Sequence, residues 1–147
     1  ITKEKLPQQV SSSFVSEMFN KLNNSNAKPI FFNAKFDMRM IWHSFGVKLI
    51  PYFDGLVAAR ILNENEPTNT LKQLHKKYIL RNKEDAFSFG ELFNGVCFDL
   101  IPPNVGYIYA ARDAEITYEL YEFQSKFLTE GTDEYISHEM SDLSNLF

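Results

Sequence analysis

The chain has 147 residues, of which 44% are hydrophobic and 23% charged, and its formal net charge is −4. This length and composition are typical of one globular domain, and the charge excludes the global basic field that drives nonspecific nucleic-acid binding. The single cysteine, Cys97, excludes an internal disulfide and a multi-cysteine zinc site. Because no apolar run approaches 18 residues, we expect a cytoplasmic protein with no membrane partner.

Apolar periodicity predicts short strands between amphipathic helices in the first half of the chain. In chain order we expect a helix at 14–22, a buried strand at 29–32, a helix ending at Gly46, a strand at 47–53 and a helix at 56–62. A serine among residues 11–13 is expected to cap the first of these helices, and Asp54 the last. A strand that turns directly into a helix places the junction at the carboxyl end of the sheet, where open α/β folds hold their ligands.

The next predicted helix carries a local basic run. Thr70 is expected to cap a helix at 71–79, on which several basic residues follow one another: Lys72, Lys76 and Lys77, and then Arg81 and Lys83. A run of this kind is typical of a solvated helix face, and it is also compatible with a surface that follows phosphates. The sequence leaves both interpretations open.

The last third is helical by its pattern. We expect an irregular stretch at 84–103 with a short helix at 89–93, then a long helix capped by Asn104 that runs to about 127. Gly131 is expected to end it before a final helix at 133–147. The whole is an α/β pattern that is rich in helix and poor in strand, and the chain starts without a methionine. We therefore interpret it as a piece of a longer polypeptide whose N-terminal strands are missing.

Two polar pairs share one spacing. Tyr109 and Asp113 lie four residues apart within the predicted long helix, so they share a helix face. Asn33 and Asp37 repeat the spacing at a strand-to-helix junction. Aspartates from two helices that face one cleft can bind Mg²⁺ or Mn²⁺ through oxygen, and two such ions can promote phosphodiester hydrolysis. Each spacing is common by chance and is not specific alone.

The amino-acid sequence around these pairs is more specific than their spacing. Four segments follow one another in order: FFNAKFD at 31–37, FDGLVAARIL at 53–62, TLKQL at 70–74 and YAARDA at 109–114. This series resembles the 3′–5′ proofreading exonuclease domain of family A, polymerase-I-like DNA polymerases, with the phage-type enzymes most similar. The resemblance covers roughly residues 29–128. It implies an RNase H-like exonuclease fold, with an exonuclease-like domain at 1–130 and a helix at 131–147 that connects to a polymerase domain of the same polypeptide.

The resemblance also implies a role for each residue of the two pairs. Asp113 matches the aspartate that binds the first metal directly, and Asp37 matches the aspartate that serves the second metal. Tyr109 matches the tyrosine that orients the attacking water, and Asn33 matches an asparagine near the terminal nucleotide. The implied substrate is the 3′ end of single-stranded DNA. The implied cofactors are two Mg²⁺ or Mn²⁺ ions, which are expected to bind only when the first motif of the family is also present.

One family motif is absent. The family carries an Asp-x-Glu on its first strand, where both side chains reach one metal because residues i and i+2 of a strand share a face. Here the only Asp-x-Glu is Asp113-Ala114-Glu115, within a predicted helix. Residues i and i+2 of a helix lie about 200° apart, so Glu115 cannot join Asp113 at one ion. We therefore expect the chain alone to be catalytically incomplete.

Two other functions fit the same pattern. One is a non-catalytic exonuclease-like module that binds DNA or supports a polymerase without cutting. The other is an RNase D-like exonuclease that processes RNA.

Overall fold

A computed structural model describes residues 9–81 and 95–128 of the chain. In this part the elements are α1 (Ser12–Asn23), β1 (Ile30–Phe31), α2 (Ala34–Phe45), β2 (Phe53–Asp54), α3 (Gly55–Leu62), α4 (Leu71–Tyr78), a 3₁₀ turn (Phe98–Leu100) and α5 (Pro103–Ser125). The predicted short helix at 89–93, Lys83, Gly131 and the terminal helix lie outside the described residues. No helix of the described part is both long and apolar enough to cross a bilayer.

The described strands form a small parallel sheet. Strand β1 pairs with β2 so that Ile30 lies opposite Phe53 and Phe31 opposite Asp54. Each strand runs directly into a helix, β1 into α2 and β2 into α3. Both junctions therefore meet at the carboxyl end of the pair, as the sequence predicted.

The predicted strand at 47–53 is wrong in its length. Burial alternates along it, with Val47 and Leu49 buried and Ile50 exposed, as the pattern required. Its backbone, however, bonds to a side chain, because the Asn23 amide donates to the Lys48 carbonyl at 2.7 Å and accepts from the Ile50 N–H at 3.0 Å. Pairing with β1 is thus confined to Phe53–Asp54.

The helix ends confirm the capping predictions in part: Thr70 precedes α4 as predicted, but its hydroxyl donates to the Gln73 side chain and caps no backbone N–H of α4. The Ser11 hydroxyl accepts from the Phe14 N–H at the start of α1, and Gly46 ends α2 in the left-handed region with φ 67°. The predicted cap of the long helix is wrong: α5 begins at Pro103, with Pro102 as the preceding residue, and Asn104 lies inside the first turn. A proline fits the first helical position because its missing N–H has no intrahelical partner there.

Helix α5 is the support on which the other elements pack. Buried Leu120 contacts Ala59 of α3 and Leu74 of α4, while the Tyr121 ring meets Phe53 of β2 edge-on at 4.8 Å. The side-chain amide of buried Gln124 donates to the Gly55 carbonyl at 2.9 Å. The fold therefore fixes α3, α4 and the sheet on one long helix.

Candidate active site

The site begins at the turn from β1 into α2. Asn33 adopts the left-handed conformation, with φ 64° and ψ 52°, which asparagine tolerates better than most residues. Its backbone N–H and that of Ala34 donate to the Asp54 carboxylate at 2.9 and 2.7 Å. The same carboxylate caps α3 through the Leu56 N–H at 2.8 Å. Asp54 thus joins the two strand-to-helix junctions, and its predicted role as an N-cap is confirmed.

Asp37 lies in the first turn of α2 and is half-buried. Burial raises the pKa of its carboxyl group above the ordinary value, and the negative charge of Asp54 raises it further. A hydrogen bond that the carboxylate accepts from the residue's own backbone N–H lowers the pKa and opposes this in part. A cation beside Asp37 would relieve both the desolvation and the repulsion.

Asp113 lies in the middle of α5, where its carboxylate forms an ion pair with the Lys72 ammonium of α4. The side chain of Asp113 is 35% exposed and that of Lys72 only 18%. One turn earlier on α5, the half-buried Tyr109 presents its ring to the same ammonium, with 4.9 Å from the Lys72 nitrogen to the ring centroid. Lys72 therefore touches both members of the predicted pair.

Asp37 and Asp113 line one cleft of about 650 Å³. The rest of its lining is largely apolar and comes from β1, α2, α4 and α5: Ile30, Phe31, Phe32, Ile41, Leu71, Ala114, Thr117 and Tyr118. Neither Asn33 nor Tyr109 is among the residues that line it. Tyr109 belongs to α5, which contributes to the lining, and Asn33 is the N-cap residue that precedes α2. The structure therefore brings together the two aspartates of the predicted set and leaves its other two members at the margin.

Glu115 stands apart from this cleft. Its carboxylate pairs with Arg112 at 2.6 Å on the exposed side of α5. Within residues 9–81 and 95–128, no group of three or more His, Cys, Asp or Glu side chains is placed to hold a metal ion. The donors at the cleft are thus two carboxylates, which suit a hard divalent cation by type, since Mg²⁺ and Mn²⁺ prefer oxygen.

Sequence reasoning missed the position of Lys72. It assigned this lysine to a basic helix face, whereas Lys72 pairs with Asp113 and Lys77 with Glu66 at 2.7 Å. Of the basic residues of that run within the described part, Lys76, Lys77 and Arg81 are exposed, whereas Lys72 is partly buried. The spacing of the run carries no signal of these pairs, because both acidic partners lie on other elements.

Comparison with known proteins identifies the family of the chain. A model of the 3′–5′ exonuclease family found in family A DNA polymerases matches residues 4–128, so the chain belongs to that family. DNA polymerase I of Borreliella burgdorferi is 27% identical over 134 residues, which cover 89% of this chain. The matched region is 14% of that polymerase, so the chain spans about a seventh of its relative's length. No solved structure matches the chain.

Proposed function

We propose that the chain is the 3′–5′ exonuclease domain of a polymerase-I-like DNA polymerase and removes nucleotides from the 3′ end of single-stranded DNA. The observation that carries this proposal is that Asp37 and Asp113, on separate helices, line one cleft in a chain that belongs to the exonuclease family. The fold we propose is RNase H-like, with β1 and β2 as part of its sheet. Residues 1–130 form the exonuclease domain and residues 131–147 connect it to the polymerase.

The proposed roles are those that the resemblance to the exonuclease family implies for each residue. Asp113 holds a divalent cation directly, and Asp37 serves a second one from the opposite helix. Such ions, when bound, stabilise the charges of the attacking and leaving oxygens of a phosphodiester. Tyr109 orients the attacking water through its hydroxyl group, and Asn33 contacts the terminal nucleotide. The largely apolar lining of the cleft supports stacking of the terminal base.

The proposal is tested with the polymerase polypeptide that contains this chain and an oligonucleotide labelled at its 5′ end. Asp113→Asn is expected to slow Mg²⁺-dependent shortening by about a hundredfold or more, since it removes a direct ligand. Glu115→Gln is the matched control, two residues along the same helix and outside the cleft, and it is expected to keep wild-type activity. Equal activity in both variants contradicts the assigned site, and a preference for RNA over matched DNA contradicts the assigned substrate.

A non-catalytic module is the second candidate. The observation that favours it is that the described residues place only two acidic side chains at the cleft, with no group of three able to hold a metal. An intact oligonucleotide after prolonged incubation of the wild-type polypeptide with Mg²⁺ or Mn²⁺ would select this alternative.

A further inference from the structure

The ion pair between Lys72 and Asp113 occupies the carboxylate to which we assign a metal. We propose that the Lys72 ammonium is the counter-ion of Asp113 in the cation-free protein, and that a divalent cation binds Asp113 by displacing this ammonium. The inference rests on the proposed function, which supplies the cation site. It adds that Lys72 sets the affinity of this site for the cation.

The surroundings of the ammonium support an exchange. The Lys72 side chain is 18% exposed, so solvent screens the pair only in part. A carboxylate oxygen held by an ammonium is not free for a divalent ion, so the cation must compete with the lysine. When displaced, the ammonium still has the face of the Tyr109 ring, now 4.9 Å from its nitrogen, as a partner.

Contacts at the C-terminal end of α4 fix the helix backbone that carries Lys72. The buried His75 side chain bonds through Nε2 to Glu119 of α5. Lys77 and Tyr78 both bond to the buried Glu66 carboxylate. The His75 bond thus fixes α4 against α5, and the Glu66 bonds fix it to the preceding loop. Exchange at Asp113 therefore requires movement of the Lys72 side chain rather than of the helix.

The test measures metal affinity rather than activity. Free Mn²⁺ is titrated against the polymerase polypeptide that contains this chain and is followed by electron paramagnetic resonance, with folding of each variant checked by circular dichroism. Lys72→Met is expected to bind Mn²⁺ about five- to tenfold more tightly than wild type, since no ion pair must be broken. Lys72→Arg, which keeps the charge, is expected to bind no more tightly than wild type.

Lys76→Met is the matched control because Lys76 is exposed one turn further along α4. It removes the same charge from the same helix, and its affinity is expected to stay within about twofold of wild type. In an Asp113→Asn background, Lys72→Met is expected to give no further tightening. If the effect came from net charge in general, Lys72→Met and Lys76→Met would both bind Mn²⁺ more tightly to the same extent, and this result would overturn the inference.

A second measurement uses the wild-type chain. Addition of diamagnetic Mg²⁺ is expected to shift the Lys72 side-chain nitrogen resonance in step with cation occupancy. The inference would be overturned if the Lys72 nitrogen resonance did not move while Mg²⁺ bound. It would also be overturned if Lys72→Met bound Mn²⁺ no more tightly than wild type, or if no variant bound Mn²⁺. The proposed function is judged separately by oligonucleotide digestion, so an active nuclease with an unchanged Lys72→Met affinity refutes the exchange alone.

Discussion

Asp54 determines the geometry of the candidate site although it does not line the cleft. Its side chain is buried, and its two oxygens accept backbone hydrogen bonds from Asn33, Ala34 and Leu56. These donors belong to both strand-to-helix junctions, and the first of them starts the helix that carries Asp37. One carboxylate thus sets the position of α2 relative to β2.

Replacement of this residue is expected to be costly for stability. Asp54→Ala leaves the buried Ala34 N–H and the partly buried Asn33 N–H without their acceptor and removes the cap of α3. We therefore expect the free energy of unfolding to fall by about 3 kcal/mol. Urea denaturation of the chain, followed by circular dichroism, measures this. Asp99→Ala is the control because Asp99 is exposed, and a loss there equal to that of Asp54→Ala would contradict the explanation.

At the scale of elements, the loop between α3 and α4 is held by a buried carboxylate. Glu66 is 1% exposed and accepts hydrogen bonds from Lys77 at 2.7 Å, from the Tyr78 hydroxyl and from the Thr68 N–H at 3.2 Å. The Lys77 and Tyr78 hydrogen bonds lower the pKa of Glu66 from 4.5 to about 2, against the opposing effect of burial. The loop is therefore attached to α4 by an ionised group.

This predicts a pH dependence of a definite sign. The folded protein binds the Glu66 proton less tightly than the unfolded chain, so the stabilisation is present above pH 4.5 and is lost as the pH falls towards 2. We expect Glu66→Gln to lower the free energy of unfolding by about 2 kcal/mol at pH 7. In urea denaturation, the difference in free energy of unfolding between wild type and Glu66→Gln should become smaller as the pH is lowered from 4.5 to 3.

The control for this experiment is Glu17→Gln. Glu17 pairs with Lys21 on α1 but its side chain is 63% exposed, so its replacement should change stability by less than about 0.5 kcal/mol. If the loss of stability in Glu66→Gln stayed constant across the same pH range, this would contradict the assignment of an ionised Glu66 to the stabilisation of the loop.

The elements differ in how far the sequence could predict them. Helices α1, α2 and α3 were predictable because periodic apolar residues, a serine or aspartate cap and Gly46 are local signals. The segment at 47–52 was not, because its alternating burial is strand-like while the Asn23 side chain takes its backbone hydrogen bonds. The start of α5 was misplaced because Asn104 is a good cap, yet Pro103 already fits the first helical turn.

At the scale of the whole molecule, the site was predictable in part. The Asn33/Asp37 and Tyr109/Asp113 pairs were found from spacing and from the resemblance. Two of these residues, Asp37 and Asp113, line one cleft, and the roles of all four stay a prediction. The contact of Lys72 with Asp113 was not predictable, because it depends on how α4 packs against α5. Long-range packing of this kind leaves no periodic trace in the sequence.

The net charge of −4 leads to a final prediction about the whole chain. With no global basic field, and with Asp37 and Asp113 at the cleft, the metal-free protein should repel the phosphates of a DNA end. Divalent cations at these carboxylates reverse the local charge. We therefore expect single-stranded DNA to bind at least about tenfold more tightly with 5 mM Ca²⁺ than with Na⁺ at equal ionic strength. Calcium is chosen because it tests binding with little hydrolysis.

Fluorescence anisotropy of an oligonucleotide labelled at its 5′ end measures this difference. The double variant Asp37→Asn, Asp113→Asn separates the site from a general effect of the ion. Because it removes both negative charges from the cleft, its affinity in Na⁺ should rise while its response to Ca²⁺ disappears. A double variant that still gains tenfold from Ca²⁺ would place the ion elsewhere on the chain, and equal wild-type affinity in both salts would show that DNA binding does not depend on these two carboxylates.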